Sequence, residues 1–287
     1  MVSIVIAAHN EESVIDSCLG SLQEELHADA EMIVSANGCT DRTAAIARER
    51  GALVIDRPEP GKPGALNAAD ELAQDFPRIY LDADIRVPAG SVSALERLLA
   101  EGALAAVPRR RVETSGRPLG VRAYFAINER LPVFRDGLFG RGMIAVSEAG
   151  RRRFDRFPSM IADDLFLDSQ FTAAEKAEAD DVEVVVEAPH TTRALVNRLV
   201  RVRRGNAEMR SASATGEVEV AIRASDKWAW LRDVVVPHPH LVFAAVPYLV
   251  ITVTAALRAR RRPQTGNSWG RDESTRVVST GRTLATR

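Results

Sequence analysis

Apolar and polar positions in the first hundred residues alternate between two periods. Short unbroken apolar runs, "VSIVIAA", "EMIVSA", "ALVIDRP" and "RIYLDAD", are separated by longer stretches with helical spacing. Runs of this length bounded by turn residues predict strands buried on both faces. The stretches between them predict helices: Ser13 to Leu26, the segment after "NGCTDRT" that ends near Gly51, "ALNAADELAQDF" and "SVSALERLLAEG". "EPGKPG" reads as a loop. This β-α-β-α-β-α-β order predicts an α/β fold with a doubly wound, mostly parallel sheet. Ligands of such sheets bind beyond the carboxyl ends of the strands. His9, Asn10, Asn37, Asp82 and Asp84 all follow predicted strands, and so belong to one rim.

Beyond Ala105 the pattern is less regular. "ALAAVPRRR" predicts a strand, "GLFGRGMIAVSEAGRRRF" a strand and a short helix, and "ADDLFLDSQF" a helix that opens on acids. "VEVVVEAPH" predicts a strand, and "TTRALVNRLVRVRRGNAEM" a basic helix. The expected organisation is a domain over residues 1–210, with halves at about 1–105 and 106–210. A hydrophobic helical segment follows over 211–262, then a polar tail over 263–287 with little periodicity.

Composition narrows the classes. A formal net charge of −1 over 287 residues gives no basic field for nucleic acid. Cys18 and Cys39 are too few for a disulfide framework and lack metal-ligand spacing; a reducing cytoplasm fits. The start lacks a basic region ahead of its apolar run, so no signal peptide is expected. Val234 to Leu257 holds no charged residue and is followed by Arg258, Arg260, Arg261 and Arg262. Its length approaches the roughly 20 apolar residues of a membrane span. Pro237, Pro239 and Pro247 make a bent or interfacial segment an equal reading, and a buried core helix is the third. The arginines favour the cytoplasmic side.

Asp82 and Asp84 end an apolar strand one residue apart. Like charges this close repel and are costly to bury unpaired, which makes a bound cation attractive. Together with three other features, this "LDADIRVP" resembles the family 2 glycosyltransferases. The others are the opening "IVIAAHNEESVIDSCLGSL", the turn "VSANGCTDRT" and "GKPGALNAA". Each alone is weak; their order and spacing after successive strands carry the likeness, over residues 2 to about 210.

The resemblance implies a GT-A fold, a nucleotide-sugar donor and Mn²⁺ or Mg²⁺. It makes Asp84 the metal ligand and places Asp82 at the nucleoside. Ala8, His9 and Glu11 would meet the nucleoside, and Asn37, standing where Asp is common, the base. Uridine is expected, with Asn37 as a turn residue the other reading. Lys62 is expected at phosphate or ribose, or as a solvated loop lysine. In "IADDLFL", Asp164 matches the general base and Asp163 a supporting acid; both also suit a helix N-terminus. Gly140 and Gly142 match an acceptor-side loop. "RVRRGN" stands where processive relatives carry Gln-x-x-Arg-Trp, and its Gly205 argues for a non-processive enzyme. Arg201 and Arg204 would clamp the diphosphate, or face anionic lipid. His190 is a candidate third metal ligand or a capping histidine.

The implied activity is inverting transfer of a sugar from a nucleotide donor to a hydroxyl acceptor, lipid-linked or soluble. The expected place is the cytoplasm, at the inner face of the cell membrane. A sugar nucleotidyltransferase would open on a Gly-rich phosphate loop, which "IAAHNEES" lacks. A membrane-associated scaffold on a transferase fold remains the alternative.

Overall fold

The protein is described here from a computed structural model covering residues 1–27, 30–160, 162–218, 222 and 226–261. The polar tail expected over 263–287, and Arg262 of the basic cluster, lie outside the described residues. The sheet strands are β1 (Ser3–Ala8), β2 (Glu31–Asn37), β3 (Leu53–Arg57), β4 (Arg78–Asp82), β5 (Ala105–Glu113), β6 (Met143–Val146) and β7 (Lys176–Glu187), in spatial order β3-β2-β1-β4-β6-β5-β7. The helices are α1 (Ile15–Gln23), α2 (Thr43–Glu49), α3 (Lys62–Leu72), α4 (Ser91–Ala100), α5 (Leu119–Asn128), α6 (Pro132–Arg135), α7 (Glu148–Arg151), α8 (Asp163–Ser169), α9 (Thr192–Ala214) and α10 (Val242–Arg261).

The apolar runs form strands because both faces of the sheet are covered. All six residues of β1 are buried. Ile4, Ile6 and Ala8 join one core with α1 and α4, while Val5 and Ala7 join another with α3 and α8. Burial of each large aliphatic side chain is worth about 1.5–3 kcal/mol.

Two departures from the sequence pattern shape the rim. Helix α3 begins at Lys62, inside the expected loop. Pro63 occupies its first turn, where an N–H would have no helical partner, and Gly61 ahead of it takes φ +147°. The second departure is β6, which runs antiparallel to both β4 and β5. The chain leaves β5 at the carboxyl rim, forms α5 and α6 there, and re-enters from the same side. With no crossover, β6 has to run backwards. The loop 140–142 therefore arrives directly beside the end of β4, and Asp82 N donates to Gly142 O at 2.8 Å.

A third core joins α5, α9 and α10, with Tyr124 stacked on Tyr248 at 5.2 Å between ring centroids. The hydrophobic segment thus packs its last helix onto the preceding domain.

Candidate active site

At the rim, Lys62 stands between two carboxylates. Its Nζ lies 2.7 Å from Asp82 Oδ1 and 2.6 Å from Asp163 Oδ2. The first-turn position of Lys62 on α3, the end of β4 and the start of α8 bring the three together. Burial alone would lower the Lys62 pKa, but Asp163, Asp82 and Asp164 raise it well above the usual lysine value. The charge at the end of β4 is therefore answered from within the chain: Lys62 compensates Asp82, while Asp84 sits exposed on the turn that follows. Lys62 is a counter-ion here, neither a loop lysine nor one directed to solvent.

Asp164 is held differently. Its Oδ2 accepts from Gly140 N at 3.0 Å. Burial, then the neighbouring Asp163 and Asp82 charges, push its pKa up to about 7, against Lys62 and the Gly140 N–H. A carboxyl group poised there can take a proton near neutral pH. Gly140 and Gly142 both adopt left-handed backbone, φ +60° and +69°. At Gly142 a Cβ would fall 2.4 Å from an Ile85 side-chain carbon, so only glycine lets this loop close on β4. Between them Arg141 is 2% exposed, ion-paired with Glu178 and donating to Pro108 O at 2.8 Å and Phe134 O at 2.6 Å. This anchor was missed in the sequence, where its long-range partners leave no signal. Asp82, Lys62, Gly142, Asp163 and Asp164 line one small cleft.

The other residues expected at the site have partners within the chain. Asn37 is wholly buried: its Nδ2 donates to Ala8 O at 2.7 Å and Ser35 O at 3.3 Å, and its Oδ1 accepts from Gly61 N at 3.0 Å. It stitches β1, β2 and the entry to α3 together. The Ala8 carbonyl is engaged by it. His9 Nδ1 lies 2.6 Å from Asn37 O, and Glu11 N donates to Thr43 Oγ1 at 2.6 Å. Asp41 Oδ1 accepts from Thr43 N at 3.0 Å and its Oδ2 from Glu12 N at 3.2 Å, tying the turn before α2 to the loop after β1. Arg204 donates to Ala259 O and Arg258 O, both at 3.3 Å, and so caps the end of α10. Arg201 lies a turn earlier on α9, half-buried. His190, beyond β7, has its Nδ1 3.4 Å from Arg117 Nη1. It is not gathered with Asp82 and Asp84: no group of three His, Cys, Asp or Glu suited to a metal occurs among the described residues.

A mostly parallel sheet with one reversed strand, and acids at the rim where that strand begins, is the GT-A architecture of nucleotide-sugar-dependent transferases. The glycosyl transferase family 2 model matches residues 3–156. The chain belongs to that family and is a glycosyltransferase. No curated protein matches it significantly. Among solved structures it is similar to the mannosyltransferase PcManGT of Pyrobaculum calidifontis, solved with GDP-Man and Mn²⁺. That match has a TM-score of 0.59 at 18% identity and covers 92% of this chain and 76% of the other. It is also similar to glucosyl-3-phosphoglycerate synthase of Mycobacterium tuberculosis, solved with Mn²⁺, UDP and glucosyl-3-phosphoglycerate. There the TM-score is 0.54 at 22% identity, covering 78% and 81%. S. aureus TarS with UDP matches at TM-score 0.51 and 13% identity, covering 93% and 94%.

Proposed function

We propose that this protein is an inverting, non-processive glycosyltransferase that takes its sugar from a UDP- or GDP-linked donor, with Asp164 as general base. The observation that carries the reading is the cleft itself. Asp164, whose pKa is pushed up to about 7, lines the same small cleft as Asp82, Asp163 and the Lys62 that bridges them. Inversion needs a base at the acceptor hydroxyl, on the face of the sugar opposite the leaving diphosphate, worth about 10²–10⁴ in rate. Asp163 positions Lys62 and thereby Asp82. Gly205, buried in α9, offers no aromatic platform for a growing polymer.

The acids suit Mn²⁺ or Mg²⁺. Such ions prefer hard oxygen ligands, and Mg²⁺ typically uses one or two carboxylates completed by substrate phosphates and water. Asp84, exposed on the rim, with Asp82 beside it, meets that need without a third protein ligand. When bound, the metal supplies charge stabilisation to the departing diphosphate. Lys62 adds a fixed positive charge one side chain away.

The acceptor side faces the membrane in this reading. Helix α10 buries Ala245, Tyr248, Ile251 and Ala255 against the domain and exposes Val242, Phe243, Val246, Leu249, Val250, Val253 and Leu257 on its other side. Lifting it into a straight span would strip that buried core, so it lies along the surface of the bilayer. Exposed Arg258, Arg260 and Arg261 at its end suit anionic lipid of the cytoplasmic leaflet.

The test is donor turnover. Purified protein is incubated with UDP-glucose and with GDP-mannose, with Mn²⁺ or with chelator, and release of free nucleotide is followed. Metal-dependent release that Asp84→Ala abolishes supports the reading. Equal release by the variant, or none from any donor, rejects it in favour of a scaffold. Flotation with anionic vesicles tests the membrane face, which Val250→Glu should disable.

A further inference from the structure

Among the described residues, Arg110 is a partly buried cation that forms no ion pair. It lies on β5, half-buried, its guanidinium over the Phe134 ring at 4.2 Å. Its Nη2 is buried with no hydrogen-bond partner, and among the described residues the side chain makes no hydrogen bond or ion pair. The other well-buried arginines behave differently: Arg78 and Arg151 pair with Asp70, and Arg141 with Glu178. The flanking Arg109 and Arg111 reach Glu183. The nearby acid, Glu129, accepts from Val112 N at 2.7 Å through Oε1 and acts on Arg110 only at a distance. Burial, with the Arg141 and Arg198 charges added, pushes the Arg110 pKa down to about 10 despite Glu129. An arginine held this way is short of negative charge.

Its position says where that charge belongs. A Cβ on Gly140 would lie 3.0 Å from Arg110 Nη1. The guanidinium therefore stands against the loop whose N–H holds Asp164. Strand β6 separates β5 from β4, so the backbones of Arg110 and of the Asp82–Asp84 rim lie two strand spacings, about 10 Å, apart. The guanidinium stands at the loop that holds Asp164, on the acceptor side of the cleft in this reading, where an oxyanion of the acceptor would meet it.

We propose that Arg110, backed by Arg198, is an acceptor subsite for a phosphate group, and hence that the acceptor is a phosphorylated molecule whose reacting hydroxyl lies near its phosphate. A planar guanidinium recognises phosphate through two parallel hydrogen bonds, which a lysine does not reproduce. The inference rests on Asp164 marking the acceptor side, and its test is separable from that of the donor. The phosphate comes from a soluble molecule or from a lipid headgroup, and the same chemistry serves both.

UDP and GDP with Mn²⁺ are first titrated into full-length wild-type protein, Arg110→Gln and Arg110→Lys; this step judges the donor reading alone. Inorganic phosphate is then titrated into the nucleotide-saturated samples. In parallel, flotation is measured with phosphatidylcholine vesicles with and without phosphatidic acid. The expected result is phosphate binding weakened at least tenfold in Arg110→Gln and less in Arg110→Lys, with nucleotide binding unchanged. Loss confined to the phosphatidic acid vesicles assigns the subsite to a lipid headgroup and equally supports it. Phosphate and vesicle binding that are the same in all three proteins, or absent from wild type, overturn the proposal. If Arg110→Gln fails to fold, Arg110→Lys and Arg198→Gln decide by the same comparison.

Discussion

Replacing Asp164 by Asn should make the protein more stable and far less active at the same time. The amide keeps the shape of the side chain and an oxygen for the Gly140 N–H, but removes a charge placed among Asp163 and Asp82. Because the native pKa is raised from 3.8 to about 7, the folded state holds its proton more tightly than the unfolded chain. Stability is thus unaffected below about pH 4, falls as pH rises toward 7, and stays reduced above it. A shift of about 3 units corresponds to roughly 4 kcal/mol as a ceiling. Relaxation of Lys62 and Asp163 around the charge should leave about 2 kcal/mol to be recovered by the variant. Urea denaturation of both proteins from pH 4 to pH 8 reads this directly: the curves coincide at the acid end and separate in favour of Asp164→Asn toward neutrality. In parallel, transfer should fall by about 10²–10⁴ if Asp164 takes the hydroxyl proton. Wild-type kcat should rise with pH along a limb at or below about 7, since a cation near Asp82 weakens one of the upward pushes. A variant that is destabilised, or whose stability difference is flat with pH, would refute the electrostatics. Retained turnover would refute the role.

Other substitutions separate structural from chemical roles. Asn37→Asp puts a carboxylate against Ala8 O and Ser35 O, and should cost about 3 kcal/mol or more by thermal or urea unfolding. If it folds, its preference between UDP and GDP should match wild type; a changed preference would return Asn37 to the base site. Arg204→Met removes the cap on α10 and should cost about 1 kcal/mol without altering nucleotide affinity. Gly142→Ala forces a Cβ onto Ile85 and should lower both stability, by about 1–3 kcal/mol, and turnover. Ile85→Ala in the same chain should restore part of the stability.

Much of the fold was legible because the strands are buried on both faces, and continuous apolar runs that end at the rim can be read locally. Asp82 and Asp84 end one of those runs, while Asp163 and Asp164 open a helical pattern and were picked out by the family resemblance. What stayed hidden depends on who meets whom. The reversal of β6 follows from where α5 and α6 return the chain, which no local pattern records. Asn37 reads as a turn or a ligand contact until Ala8, Ser35 and Gly61 are seen around it. Arg204 lies in a run of arginines, and only the end of α10 distinguishes it. Lys62 falls in a Gly/Pro-rich stretch that reads as a loop, and only the folded chain puts it between two carboxylates.

The most direct test of the account is calorimetric titration of UDP and GDP into wild-type protein and Asp84→Ala, each with and without Mn²⁺. The account predicts that one of the two nucleotides binds wild type only when Mn²⁺ is present, and that Asp84→Ala loses this binding while still unfolding in a single cooperative transition. Binding that ignores both the metal and Asp84, or no binding of either nucleotide, would contradict it.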